Sequence, residues 1–289
     1  MSNTVNIYFI DLSMDEGGTA KKVYIFWIII WFVVLVISSL ITYKSLKIEK
    51  RLSLPTKTSI LIVFCSIGKI LNIGLSFYET SNKVEIGILS FIRNSPSFLL
   101  LSSFLIVVLF WIQMYHDPVT YQNRRSCCSF IIKPLYVLIV TVQIAFVVLL
   151  SIAEAKFSSM HIYYKSVYFF SRLYTIVMSI SFSIAFLVYG FLVGKKQQIQ
   201  STRIFYSSAI ILGLTFLANG IHVFTISFLV PIVTFKQIMV VTSIDNIIDI
   251  FISLEIVILV YLDAKAKKKF LMDNSSSSSS TSSMDSEIG

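Results

Sequence analysis

Between Ser243 and Leu262 the chain reads Ser-Ile-Asp-Asn-Ile-Ile-Asp-Ile-Phe-Ile-Ser-Leu-Glu-Ile-Val-Ile-Leu-Val-Tyr-Leu. Asp245, Asn246, Asp249 and Glu255 are the side chains in this stretch that could hold a cation, carry a proton or face an opposite charge. At ~100° per helical residue, Asp245 and Asp249 lie ~40° apart, and Glu255 lies ~80° from Asp245 on the other side. One broad acidic face results, with Ile, Val and Leu over the remainder. An acid near the centre of a membrane helix disfavours insertion by roughly 2.5–3.5 kcal/mol, so such groups turn toward a bundle interior or a wet cavity. The competing reading is that two of them cap or anchor the helix at an interface.

Other apolar runs carry polar residues that could meet this face: Lys69 and Asn72, Gln143, Arg172, and Asn219 with His222. Either they form one functional cluster, or they are interhelical hydrogen bonds worth about 0.6 kcal/mol each that pin the bundle. Lys69 has the most specific expected partner. It lies eleven residues beyond Thr58 and Asp249 lies thirteen before Leu262, which puts the two at similar depths of roughly 17 and 20 Å. Glu255, at roughly 11 Å, is the second choice. A lone ammonium at that depth is disfavoured, and a neighbouring carboxylate offsets part of the desolvation cost.

Catalytic patterns are lacking. His116, His161 and His222 are dispersed, and neither His-Glu-x-x-His nor Cys-x-x-Cys occurs, so the sequence gives no spacing for a metal and no sign of a cofactor or an enzyme. Cys65 lies in an apolar run, whereas Cys127 and Cys128 follow Arg124 and Arg125. A juxtamembrane cysteine pair beside basic residues is a candidate for S-acylation, with two plain loop residues as the alternative.

The elements that must carry these residues follow from composition. Of 289 residues 56% are hydrophobic and 13% charged, with a mean hydropathy of +0.82, far beyond what a soluble core requires. The expected fold is an all-α integral membrane protein, a seven-transmembrane helix bundle. Runs of bilayer-crossing length fall at 23–43, 58–78, 97–115, 132–153, 167–193, 203–229 and 243–262. The apolar stretch 230–242, broken by Pro231 and Lys236, leaves six or eight spans as alternatives. All five prolines are expected at or beyond span ends.

Lys and Arg outside the runs divide unevenly between the two sets of alternate loops. Fifteen lie in 44–57, 124–133, 195–203 and 265–269, against seven on the other side. By the positive-inside rule the first set is cytosolic, so the amino terminus is outside or lumenal. The net charge of +9 thus reads as topology and not as nucleic-acid binding. Residues 1–22 form an outer segment, 23–262 the helical domain, and 263–289 a basic collar followed by a serine-rich tail with too little apolar surface to order itself. The bilayer is the expected partner, with docking of cytosolic proteins at 44–57, 116–131 and 194–202; no ligand is specified.

Three short motifs add a family resemblance. Leu109-Phe110-Trp111 with Tyr115, Ala185-Phe186-Leu187-Val188-Tyr189-Gly190, and Leu254-Glu255-Ile256 resemble segments of the tobamovirus multiplication protein family, whose animal members are adipocyte-associated transmembrane proteins. The resemblance implies seven spans, an orphan receptor-like role and small GTPases among the cytosolic partners, and leaves a vacuolar or endolysosomal membrane and the plasma membrane as open alternatives. The same residues also suit an aromatic belt and close helix packing. The third run ends Tyr115-His116-Asp117-Pro118, the seventh lacks Asn-Pro-x-x-Tyr and contains no lysine, so neither G-protein coupling nor a retinal Schiff base is indicated.

Two function classes stand at this point: a receptor or scaffold recruiting cytosolic partners, and an ion- or proton-coupled transporter using the carboxylates. The topology itself is directly checkable. Lys83→Cys and Lys156→Cys variants should react with an impermeant thiol reagent from the non-cytosolic side and Lys47→Cys and Lys196→Cys should not; on the same grounds, acyl exchange should label Cys127 and Cys128. The opposite labelling pattern would invert the topology.

Overall fold

A computed structural model of the chain describes residues 18–49, 54–75, 83–116, 127–156, 162–197, 202–229 and 235–280, and all of them except Gly18 are helical. Seven α-helices result among the described residues: α1 (Thr19–Glu49), α2 (Leu54–Leu75), α3 (Lys83–His116), α4 (Cys127–Lys156), α5 (Ile162–Gln197), α6 (Thr202–Phe224) and α7 (Phe235–Ser280). A π-helical turn at Thr225–Leu229 extends α6. Helices satisfy every backbone donor and acceptor within their own segment, the condition that a hydrocarbon environment imposes on a spanning element. Six of them, α1 to α6, are long and apolar enough to cross a membrane. The seventh, α7, is the longest but carries three carboxylates within its apolar stretch 243–262, at Asp245, Asp249 and Glu255.

The helices overrun the apolar runs, and two sequence expectations change as a result. Helix α3 starts fourteen residues before the expected Ser97, so Pro96 lies inside it rather than at its end, and Pro134 lies inside α4. Arg93, counted above with the loop charges, is likewise within α3. Neighbouring helices make an internal proline tolerable: Pro96 packs its ring over Gly68 of α2, where an added Cβ would come to 2.8 Å from the proline Cγ, and Cys65 Sγ donates to the Pro96 carbonyl at 3.3 Å.

At the other end, residues 235–242 join α7 and do not prolong the sixth element. The serine-rich tail, which the composition of 263–289 leaves without order, is helical as far as Ser280. Its predecessor, Ala-Lys-Ala-Lys-Lys-Lys-Phe-Leu-Met, is rich in helix formers, and an established helix propagates at one hydrogen bond per added residue.

Helix α3 is the enclosed centre, with 101–109 buried throughout, and α4 is the most peripheral span. Phe104 of α3 meets Phe182 and Phe186 of α5 and Phe216 of α6, the Phe104–Phe216 rings edge to face at 4.1 Å between centroids. Trp111 stands edge-on to Phe186 at 5.1 Å. A second cluster joins α1, α2 and α7 through Trp27 and Trp31, Ile73, and Ile250 with Leu254. Outward faces are apolar, as at Phe26, Ile29, Phe32 and Val33 on α1, a continuous surface that suits lipid and not water.

Most buried hydroxyls in the spans need no functional account. Ser38, Thr42, Ser66 and Ser151 each donate to the carbonyl four residues earlier at 2.7–2.8 Å. Between α5 and α6 the backbones approach closely at Gly190, where a Cβ would overlap that of Ala209 and lie 3.3 Å from Trp111 Cζ3. Gly190→Ala should therefore lower unfolding stability in detergent by about 1–3 kcal/mol. Gly74→Ala, placed where nothing lies within 4 Å, should change it by less than about 0.5 kcal/mol; equal losses at the two sites would count against this interface.

Candidate functional site

Helix α7 presents its polar residues inward to three different helices. Toward α1, Asn246 accepts a 2.7 Å hydrogen bond from the Trp31 indole nitrogen, and Ser243 receives one of 3.4 Å from Trp27. Trp27 and Trp31 are one helical turn apart, so both indole donors lie on one face of α1. Toward α2, Asp249 Oδ2 forms a salt bridge with Lys69 Nζ, both side chains being largely buried. The ammonium also stands over the Trp31 ring, 5.8 Å from its centroid, so one lysine joins α1, α2 and α7. Ser253 donates to the Asp249 carbonyl at 2.7 Å within α7 itself.

Toward α6, Asp245 Oδ1 lies 2.9 Å from His222 Nε2, with 47% of the Asp245 side chain exposed. The distance is that of a hydrogen bond, but the imidazole nitrogen lacks an aligned partner, so the contact is a close approach and not a directed bond. Arg172 of α5 stacks on Tyr168 with its guanidinium carbon 4.9 Å from the ring centroid and acts electrostatically on Asp245. Asp245 in turn influences both Lys69 and Asp249. Lys69, Arg172, His222, Asp245 and Asp249 thus form one charged group spread over four helices.

The remaining sequence candidates lie elsewhere. Glu255 bonds Ser208 of α6, so Lys69 has taken the nearer acid and the second choice is not used. Asn219 donates to Ser179 of α5 at 3.1 Å, pinning α5 to α6. Gln143 of α4 is buried and accepts from Ser102 of α3. Asn72 lies one turn from Lys69 on α2 and is half-buried. The single ten-residue cluster is therefore divided into a charged group and separate interhelical pins. Cys127 and Cys128 open α4, and their side chains lie outside the described residues.

Several partners had escaped the sequence reading. Trp27 and Trp31 carried a usable signal in their four-residue spacing within the first run. Arg93 and Glu154, 3.3 Å apart between α3 and α4, carried none, because Glu154 falls just past its run and Arg93 before its own. Ser179, Ser208 and Tyr168 are common residue types in membrane helices and gave no cue.

Two shallow apolar grooves open sideways on the bundle. One, of about 340 Å³ between α3 and α4, is lined by Ile88, Phe91 and Val148; the other, of about 490 Å³ between α4 and α5, by Phe146, Phe170 and Tyr174. Neither is lined by a member of the charged group. Among the described residues no three His, Cys, Asp or Glu side chains gather as a metal ligand set. No protein-family model and no curated protein matches this chain.

Removing one member of a buried pair strands the other, typically at a cost of about 3–5 kcal/mol, whereas replacing both with apolar groups can be neutral. Lys69→Met and Asp249→Leu should each sharply reduce folded yield in detergent, and the double variant should recover toward the parent. Strictly additive losses in this cycle would mean that the two residues are not energetically coupled.

Proposed function

We propose that this chain is a seven-span membrane protein of receptor-like topology, acting as an orphan receptor or membrane scaffold that recruits cytosolic partners. The observation that carries this reading is the pairing of the acids of α7 with other helices, Asp249 with Lys69, Asp245 with His222 and Glu255 with Ser208. Each pairing offsets part of the cost that otherwise keeps three carboxylates out of a bilayer, which supports counting α7 as the seventh span. The positive-inside bias then puts the amino terminus outside or in a lumen. The resemblance to the tobamovirus multiplication protein family points the same way, and the role follows it: no catalysis, with docking of cytosolic proteins, small GTPases among them, at 44–57, 116–131 and 194–202.

A transporter would use the same carboxylates to move an ion or a proton through the bundle. Closed pairs favour the scaffold over that alternative, since Asp249 is engaged by Lys69 and the apolar grooves are not lined by the charged group. Purified protein in liposomes should show no ion- or proton-coupled flux, while tagged protein in cells should hold cytosolic partners through its basic loops. Flux that disappears in Asp249→Asn would replace the scaffold with a transporter.

A further inference from the structure

The charged group has a balance of its own. Lys69 and Arg172 supply two positive charges, Asp245 and Asp249 two negative ones, and His222 touches Asp245. With neutral imidazole the group sums to zero; with imidazolium it carries one positive charge. Asp245, 47% exposed against 14% for Asp249, is the member most open to the surroundings. It stands two residues inside the expected span 243–262, roughly 3 Å from the end where α7 enters. A half-exposed carboxylate at that level is within reach of water, so a proton can arrive from that side.

We propose that His222 and Asp245 form a proton-binding site, entered from the end of the bundle where α7 begins, whose occupancy decides how firmly Lys69 is held by Asp249. Uptake places a proton on the free lone pair of the His222 ring, and water is its source. The imidazolium engages Asp245, leaving Lys69 to Asp249. Loss of the proton leaves Asp245 with Arg172 and Lys69 as its cations, and as Asp245 and Asp249 lie one turn apart on α7 they compete for the Lys69 ammonium. Of the charged groups, Asp245 of α7 touches His222, Asp249 one turn further along α7 feels its charge, and Lys69 of α2 stands behind Asp249; from α5, Arg172, stacked on Tyr168, acts on Asp245. Histidine is the side chain whose charge ordinarily changes between pH 5 and 8.

Trp31 reports on this exchange without a label, because Lys69 stands over its ring and its indole nitrogen bonds Asn246, next to Asp245. Movement of the ammonium changes the field at the indole. The site rests on the proposed function only in taking α7 as a span of the bundle.

The test is tryptophan emission of the full chain in nanodiscs, titrated from pH 5 to pH 8. The expected result is a single reversible step, lost in His222→Gln and retained in the His116→Gln/His161→Gln double variant. A flat profile in the parent protein, or a step that survives His222→Gln, overturns the site. Should His222→Gln not fold, the double variant carries His222 as its single histidine, and an isotope-labelled imidazole that keeps one charge state from pH 5 to 8 overturns it equally. The two readings fail separately: a flat titration with intact partner recruitment removes the proton site alone, and a clear step without recruitment removes the scaffold alone.

Discussion

The salt bridge between Lys69 and Asp249 is the constraint around which the bundle is arranged. Two unit charges cannot stay apart in a low-dielectric interior, where desolvation of each costs several kcal/mol and is repaid only at contact. Their meeting sets the height of α2 against α7 and the rotation of both. With α7 so oriented, Asn246 and Ser243 fall opposite Trp31 and Trp27 of α1, while Asp245 falls opposite His222 of α6. A change of one residue in the rotation of α7 would swing all four polar side chains by about 100° and leave each without its partner.

Away from that centre, shape takes over from charge. In lipid the hydrophobic effect does not drive helices together, so close packing and interhelical hydrogen bonds must do so. Helix α3 packs through aromatic rings, with Phe104 and Trp111 set edge-on into α5 and α6. Helices α5 and α6 approach at glycines, with Gly190 against Ala209 and Gly213 against Leu187. Single polar contacts then fix the register of each pair: Ser102 with Gln143, Ser179 with Asn219, and Arg93 with Glu154. Polar residues thereby serve two purposes in one molecule. Most pin one pair of helices, while the group on α7 couples α2, α5, α6 and α7 electrostatically.

The distinction bears on function. A pinning contact such as Asn219 with Ser179 is a single hydrogen bond between two neutral side chains and carries no charge to redistribute. Asp245 touches His222, feels the charges of Arg172 and Lys69, and has a carboxylate rival one turn away. Elements with two closely matched arrangements are the ones a small stimulus can bias. Such a group, joined by Lys69 to the indole of Trp31, reaches from the half-exposed face of α7 to α1.

Much of this was legible in the chain alone. Runs of twenty or more apolar residues dictate helices, because hydrocarbon forbids unpaired backbone groups. The acids in 243–262 demanded buried partners, and equal depth selected Lys69 for Asp249, since helical rise fixes distance along the axis from sequence number alone. Rotation about the axis and the choice of neighbouring helix are not carried by any single segment. Trp31 with Asn246, His222 with Asp245 and the separation of Gln143 and Asn219 from the charged group were therefore decided by packing between helices. Helix ends were decided there too: Pro96 sits within α3 because Gly68 on another helix leaves room for its ring, a circumstance that no local reading of residues 83–116 contains.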